Sequence, residues 1–188
     1  EAEATDELWH EIRNAYRTRR ILTGTLDGIE QTTGGKTLAT VSFRGFRIAI
    51  PIREMLVLDE RMPSGRAYAD YMNRLNRILG TMLGAEIDFI VKGIDSTTHS
   101  AVASRREAML RKRQTFYFGK DVSGNPYIYP GRLVEARVIA VAEKVLRVEA
   151  FGIECAIFAR DLSWQWVSDV RDLYSVGDRV LVRVQEIS

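Results

Sequence analysis

The spacing of apolar residues changes early in the chain, and this change separates a helix from the strands that follow it. Up to residue 19 the apolar positions recur every three or four residues, the period of one helix face. These positions are Leu8, Trp9, Ile12 and Tyr16. The pattern predicts an amphipathic N-terminal helix over residues 1–19, with Thr5 as its N-cap.

From residue 20 apolar residues alternate with polar ones, which is typical of strands with one buried face. The predicted strands of this first half cover residues 21–26, 38–43, 47–52, 87–91 and 101–103. A helical pattern over residues 64–83, with Ser64 as its N-cap, separates the third strand from the fourth. We therefore expect residues 20–103 to form one small barrel with an inserted helix.

The second half repeats this plan in shorter form. Its predicted strands cover residues 133–141, 145–150, 153–159 and 180–184, and a connection with Trp164, Trp166 and Tyr174 precedes the last. Strand order and turn positions agree with those of the first half, which indicates a divergent internal duplication. Short antiparallel strands with a longer connection before the fourth predict a second Greek-key barrel over residues 131–188.

A basic segment over residues 104–130 joins the two halves and is predicted to be a helical linker and turn. Between Ser104 and Lys120 the only acid is Glu107. The segment also carries aromatic residues at 116–118. Its cations could contact the phosphates of a nucleic acid that passes between the barrels. Alternatively, the basic side is solvated and the aromatic residues dock on a barrel, and the two hypotheses are compatible.

Composition excludes several classes of protein. The chain is 46% hydrophobic, enough for folded cores, yet no apolar run approaches the roughly 20 residues of a membrane span. The single cysteine, Cys155, leaves no internal disulfide, and the distant His10 and His99 offer no metal site. No nucleotide-binding or hydrolase motif is present, so the sequence predicts no cofactor and no catalytic residue. We expect a reduced, cytoplasmic protein without a membrane partner.

Three stretches of the second half resemble the RNA-binding repeat named after the S-one protein of the bacterial small ribosomal subunit. Residues 131–138 are similar to the opening strand of that repeat, and residues 157–164 to its third strand and the corner after it. Residues 169–187 resemble its tail closely, through Val176-Gly177-Asp178 and the alternating valines that follow. In the first half, residues 50–55 and 103–108 resemble the same repeat more distantly.

The resemblance implies a mainly β protein with added helices. Because the family repeat is a five-stranded OB-fold barrel, the chain is expected to hold two tandem OB-fold barrels, preceded by the N-terminal helix and joined by the basic linker. The fifth strand of the repeat would follow Ser188, so the second barrel is expected to show only four strands. The implied function is non-catalytic binding of single-stranded RNA in bacterial translation or RNA handling, with the ribosome or another protein as a further partner.

Strand alternation assigns side chains of the second barrel to two faces. The core is predicted to contain Leu146, Val148, Ile153, Cys155 and Ile157. Arg147, Glu149, Ala156 and Phe158 are then on the outer face, where the resemblance places nucleic acid. Arg147 stands where the family often has an aromatic residue, and Phe158 stands where it often has a histidine.

The predicted nucleic-acid contacts are cations around one exposed ring. Phe158 could stack on a base or pack under another element, whereas Trp164 is assigned to packing rather than to stacking at the barrel rim. The full predicted set is Arg137, Arg147, Phe158, Arg160, Arg183, Arg47, Arg53, Arg105, Arg106, Arg111, Lys112 and Arg113. Two alternatives stay open: single-stranded DNA as the ligand, and a protein-interaction module whose barrels have lost most stacking aromatics.

Overall fold

The computed structural model describes residues 1–58 and 61–188 and divides the chain into two compact units. The first unit covers Glu1–Ala108 and the second covers Met109–Ser188. Each unit is built around its own sheet. Among the described residues, no helix is both long enough and apolar enough to cross a membrane.

The first unit contains a closed five-stranded barrel. Its strands are β1 (Ile21–Gln31), β2 (Thr37–Phe43), β3 (Phe46–Pro51), β4 (Glu86–Asp95) and β5 (Ser100–Ser104). The order around the barrel is β1-β2-β3-β5-β4, and antiparallel pairing of β4 with β1 closes it. Only β3 and β5 pair in parallel. A closed five-stranded barrel of the OB type was predicted for this half, and the structure confirms it.

Alternating apolar residues fill the barrel. Ile48 and Ile50 of β3 have no exposed surface, and the same is true of Ile87 and Phe89 of β4. Burial of one such side chain stabilises a fold by about 1.5–3 kcal/mol. This inner layer is therefore the main source of stability for the first unit.

Two helices flank the barrel, α1 (Ala2–Thr18) and α2 (Arg66–Thr81). The first buries Trp9, Ile12 and Ala15, and the second buries Tyr71, Leu75 and Leu79. The Trp9 ring centroid lies 5.5 Å from that of Phe46 at the start of β3. Both helices follow the apolar periodicity seen in the sequence.

Both predicted N-caps are wrong. Helix α1 begins three residues before Thr5, because the alanine-rich and acidic residues there also favour helix. The Thr5 hydroxyl instead donates to the Glu1 carbonyl at 3.0 Å. Helix α2 begins at Arg66, after Gly65 in a positive-φ conformation (φ 67°), so Ser64 lies outside the cap position.

A third helix, α3 (Arg105–Tyr117), contains the boundary between the units. The Ser104 hydroxyl accepts a hydrogen bond from the Glu107 N–H at 3.0 Å, which is N-cap geometry. Arg105 is fully buried and donates to the Met55 carbonyl at 2.8 Å. The start of α3 is therefore fixed to the first unit.

The second unit contains a four-stranded antiparallel sheet. Its strands are β6 (Leu133–Val141), β7 (Val145–Ala150), β8 (Ile153–Phe158) and β9 (Arg179–Arg183), in the order β8-β7-β6-β9. Ala136, Val138, Leu146, Val148 and Val170 form its buried core. The described residues thus show four strands in this half, as expected, with β8 and β9 at the two edges.

Two burial assignments in the second unit are wrong. Cys155 is exposed rather than in the core, because β8 is an edge strand whose outer side is unpaired in the described part of the chain. Glu149 is 3% exposed rather than on the surface. The end of α3 packs over this stretch of β7, so a residue on the outer face of the sheet is covered.

The second half of α3 docks on the turn between β7 and β8. The Tyr117 hydroxyl donates to the Ala150 carbonyl at 2.7 Å, and Arg113 Nε donates to the Gly152 carbonyl at 2.6 Å. The Phe116 ring lies 4.4 Å from that of Phe151. Burial raises the pKa of Tyr117 to about 12. The linker aromatics Phe116 and Tyr117 therefore dock on the second unit, whereas Phe118 is 75% exposed.

Gly152→Ala is expected to disrupt this docking. A side chain at φ +86° is strained by about 1–2 kcal/mol, and its Cβ would lie 2.2 Å from the Met109 carbonyl oxygen. Gly124→Ala is the matched control, because Gly124 has φ +83° and nothing lies within 4 Å of the added Cβ. Thermal melting should show the larger loss for Gly152→Ala, and equal losses would contradict the close helix contact.

Candidate nucleic-acid interface

The outer face of β7 and β8 is the surface on which OB folds bind oligonucleotides. The strand register places Arg147 opposite Ala156, and Val145 opposite Phe158. Directly opposed residues of neighbouring strands share one face of the sheet. Arg147 and Phe158 therefore lie on the same outer face, as the sequence predicted.

The middle of this face is electrostatically neutralised. Arg147 donates to a Glu154 carboxylate oxygen at 2.5 Å, and both side chains are partly buried. Arg137 of β6 lies directly opposite the buried Glu149 of β7. Two of the predicted phosphate contacts, Arg137 and Arg147, are therefore placed next to carboxylates.

The face is open at its other end, where β8 finishes. Phe158 is 50% exposed, and the Arg160 guanidinium carbon lies 5.4 Å from the centre of its ring. A short 3₁₀ helix over Ala159–Asp161 turns the chain here and places Arg160 above the ring. An aromatic ring with a cation on it can stack a base and attract the adjoining phosphate.

Lys144, in the turn between β6 and β7, connects this end of the face to the long loop before β9. Its carbonyl accepts the Ala159 N–H at 3.0 Å. Its ammonium group donates to the Ser168 carbonyl at 2.8 Å and lies 5.8 Å from the centre of the Trp166 ring. We call Lys144, Phe158, Arg160 and Trp166 the aromatic corner.

The tryptophans of this loop are the residues that sequence reasoning undervalued. Trp164 was assigned to packing, which is wrong, because its side chain is fully exposed. Trp166 is 87% exposed. The available signal was their setting, because both rings lie in a connection with the polar residues Ser163, Gln165 and Ser168.

Asp169 fixes the loop that carries the tryptophans. Its carboxylate accepts hydrogen bonds from Arg171 Nη2 at 2.7 Å and from the Arg171 N–H at 2.9 Å. These bonds lower the pKa of Asp169 to about 2, the guanidinium bond being the larger cause. The next residue, Val170, is fully buried, and its N–H donates to the Glu143 carbonyl at 2.9 Å.

The predicted cations of the first barrel do not form a comparable site. Arg47 is paired with Glu30, and Arg53 Nη2 lies 2.6 Å from the Met62 sulfur. No described residue of β2 or β3 presents a largely exposed aromatic ring. Arg183, on β9 of the second unit, is exposed and donates to the Gly131 carbonyl at 3.0 Å.

The linker cations divide by their surroundings. Arg106 and Arg111 are exposed, and Lys112 is partly buried. Arg113 is held by the Gly152 carbonyl. Arg105 is fully buried on the Met55 carbonyl, so it has a structural role and we remove it from the interface. In the described ranges no group of three His, Cys, Asp or Glu side chains could hold a metal ion.

Comparison with protein families defines the class of domain that carries the aromatic corner. The S1 RNA binding domain model matches residues 128–188, which include all four residues of the corner. The second unit therefore contains an S1 RNA-binding domain.

A longer similarity extends over most of the chain. The small ribosomal subunit protein bS1 of Coxiella burnetii (strain RSA 493 / Nine Mile phase I) is 24% identical over 178 residues, which is 95% of this chain. The chain spans only 28% of the length of that relative. Together the two similarities point to a binding protein rather than an enzyme.

Asp169→Asn is expected to destabilise the second unit in a pH-dependent way. Because the folded state lowers the pKa of Asp169 from 3.8 to about 2, its ionised form stabilises the fold. This stabilisation is complete above the unfolded pKa and is lost as the pH falls through the folded pKa. Melting curves should therefore show a constant gap between wild type and variant down to about pH 4, closing by about pH 2. A gap that persists at about pH 2 would contradict the ion pair.

Proposed function

We propose that this chain binds single-stranded RNA without catalysis, and that the aromatic corner of the second unit is its main contact. The observation that carries this proposal is the half-exposed Phe158 ring with Arg160 above it, inside an S1 RNA-binding domain. An exposed ring beside a cation offers a stacking surface and a positive charge in one place. It suits unpaired bases, which offer a π face and an adjacent phosphate together.

Binding combines stacking with phosphate attraction and has little base readout. Stacking on Phe158 accepts any base, because every base has a π face. Arg160 lies beside the Phe158 ring and Lys144 beside the Trp166 ring, and both supply positive charge. The exposed linker cations Arg106 and Arg111 add attraction that does not depend on sequence. Affinity is therefore sensitive to salt and tolerant of RNA sequence.

The first unit contributes through the same type of fold but with a weaker surface. We interpret residues 20–103 as a divergent repeat of residues 131–188, joined to it by the linker over 104–130. The closed barrel of the first unit and the similarity to a ribosomal protein over 95% of the chain support this interpretation. With Arg47 paired to Glu30, this barrel has fewer open contacts for phosphate.

The biological setting follows from the relative. Similarity to a small ribosomal subunit protein supports a role in translation or RNA handling in the bacterial cytoplasm, with the ribosome as a further partner. This role is proposed by analogy with the whole relative, of which the chain spans only 28%. For the chain itself, the proposed contribution to this role is RNA binding.

A protein ligand is the second candidate, and one observation favours it. Leu133 of β6 and Leu181 of β9 are 49% and 69% exposed, and the register places them diagonally on one face. The neutralised pairs in the middle of the β7–β8 face also suit a protein surface better than a phosphate backbone. In this reading the barrels keep the S1 fold and bind protein.

Fluorescence anisotropy with labelled uridine dodecamers tests the RNA proposal. We expect single-stranded RNA to bind more tightly than duplex RNA at low and high salt, with affinity falling as salt rises. Phe158→Ala should weaken binding by about 1–3 kcal/mol, the usual contribution of one base stacked on one ring. Its melting temperature should change little, because the ring is only half buried.

Leu181→Ala is the matched control, since it removes an exposed apolar side chain of the same unit away from the aromatic corner. It should leave RNA affinity unchanged. A single-stranded DNA of equal length measures the preference for RNA. If the wild-type protein binds neither the single-stranded RNA nor the single-stranded DNA at low salt, the RNA proposal is wrong and the protein ligand is favoured.

A further inference from the structure

The Trp166 ring lies beside a cation although 87% of its surface is exposed. The Lys144 ammonium group lies 5.8 Å from the ring centre and donates to the Ser168 carbonyl at 2.8 Å, two residues beyond the ring. The loop is fixed further along by the bonds of Asp169 to Arg171 and by the buried Val170. Because these contacts order the loop without a ligand, binding loses less free energy to ordering it.

Lys144 also connects Trp166 to the Phe158 side of the aromatic corner. Its carbonyl accepts the N–H of Ala159, the residue directly after Phe158. One lysine therefore contacts the Phe158 turn through its backbone and the Trp166 loop through its side chain. Each exposed ring thus has its own cation, Lys144 beside Trp166 and Arg160 beside Phe158.

We propose that Trp166, supported by Lys144, is a second base-stacking position, which accepts an unpaired base of the strand whose other base stacks on Phe158. This inference rests on the proposed function and adds a site to it. The Lys144 ammonium group is near an acid, Glu143 Oε1, at 3.3 Å, but this pair is largely exposed and screened by solvent. The cation therefore remains available to a phosphate between the two bases.

This arrangement defines the class of ligand. A base on each of the two rings requires at least two unpaired nucleotides joined by a flexible backbone, because paired bases keep their faces stacked on each other. A mononucleotide can use only one of the two rings. A duplex can use neither ring, and it contacts only the cations.

Intrinsic tryptophan fluorescence tests this site in the full chain. The chain contains three tryptophans, and Trp9 is only 4% exposed, so a bound base can change mainly the emission of Trp164 and Trp166. An unlabelled uridine dodecamer should quench the emission of the wild-type protein. Trp166→Phe should remove most of this quenching, whereas Trp164→Phe, the matched control, should retain it.

Affinity gives the second readout. Trp166→Ala should weaken binding of the dodecamer by about 5- to 150-fold, the change in affinity that corresponds to one stacked base. Trp166→Phe should weaken this binding much less. Folding is not at risk, because the ring is exposed, and far-UV circular dichroism checks this. Lys144→Gln should weaken binding of the dodecamer more than it weakens binding of a single uridine nucleotide.

The outcomes separate the two proposals. If the dodecamer binds by anisotropy but Trp166→Phe leaves the quenching unchanged, or Trp166→Ala leaves the affinity unchanged, the second stacking position is wrong while RNA binding stands. If the wild-type protein does not bind the dodecamer at low salt, both proposals are wrong. Loss of quenching in Trp166→Phe together with loss of affinity in Trp166→Ala supports the site.

Discussion

The candidate interface depends on the contact between helix α3 and the turn between β7 and β8. Gly152 permits this contact, since its missing side chain lets the turn approach the Met109 carbonyl closely. The helix then covers one end of the outer face and buries Glu149 there. Because that end is covered, the accessible part of the face is its other end, where Phe158, Arg160 and the tryptophan loop lie. A packing constraint at one end thus determines where a ligand can bind.

Charge follows the same division. At the covered end and in the middle of the face, carboxylates accompany the arginines, as in the pair of Arg147 with Glu154. At the open end the cations lie over aromatic rings, Arg160 over Phe158 and Lys144 over Trp166. These two cations also have acidic neighbours, Asp161 at 3.8 Å from Arg160 and Glu143 at 3.3 Å from Lys144. Both of these pairs are largely exposed and screened by solvent, whereas the pair of Arg147 with Glu154 is partly buried. The open end is therefore better suited to phosphate and bases.

Much of the fold follows from local patterns in the sequence. The apolar period of two residues predicted each of the nine strands in the described part of the chain, because one face of each strand is buried and the other is not. Strands β1 and β4 extend beyond the predicted residues 21–26 and 87–91, to Gln31 and Asp95. The caps of α1 and α2 were predicted wrongly, since several neighbouring residues can begin a helix equally well. The burial of Cys155 and of Glu149 was also predicted wrongly, although the register places both on the predicted faces. Their burial depends on which strand lies at an edge and on where α3 packs, and neither fact is local.

The site was predictable only in part, for the same reason. Alternation placed Phe158 outward correctly, and the stretch that resembles a known repeat, residues 157–164, includes Phe158 and Arg160. Arg105 carries the same charge as its exposed neighbour Arg106, and only tertiary packing shows that one is buried and the other is not. The partnership of Lys144 with Trp166 joins residues far apart in sequence, so no spacing pattern could reveal it.

The most direct measurement of the central claim is a map of RNA contacts by amide and indole NMR shifts on the full chain. Titration with a uridine dodecamer should shift the signals of Lys144, Phe158, Arg160 and Trp166, and should leave the indole N–H of the buried Trp9 in place. Shifts confined to the first barrel, or to Leu133 and Leu181 on the opposite strands, would contradict the account.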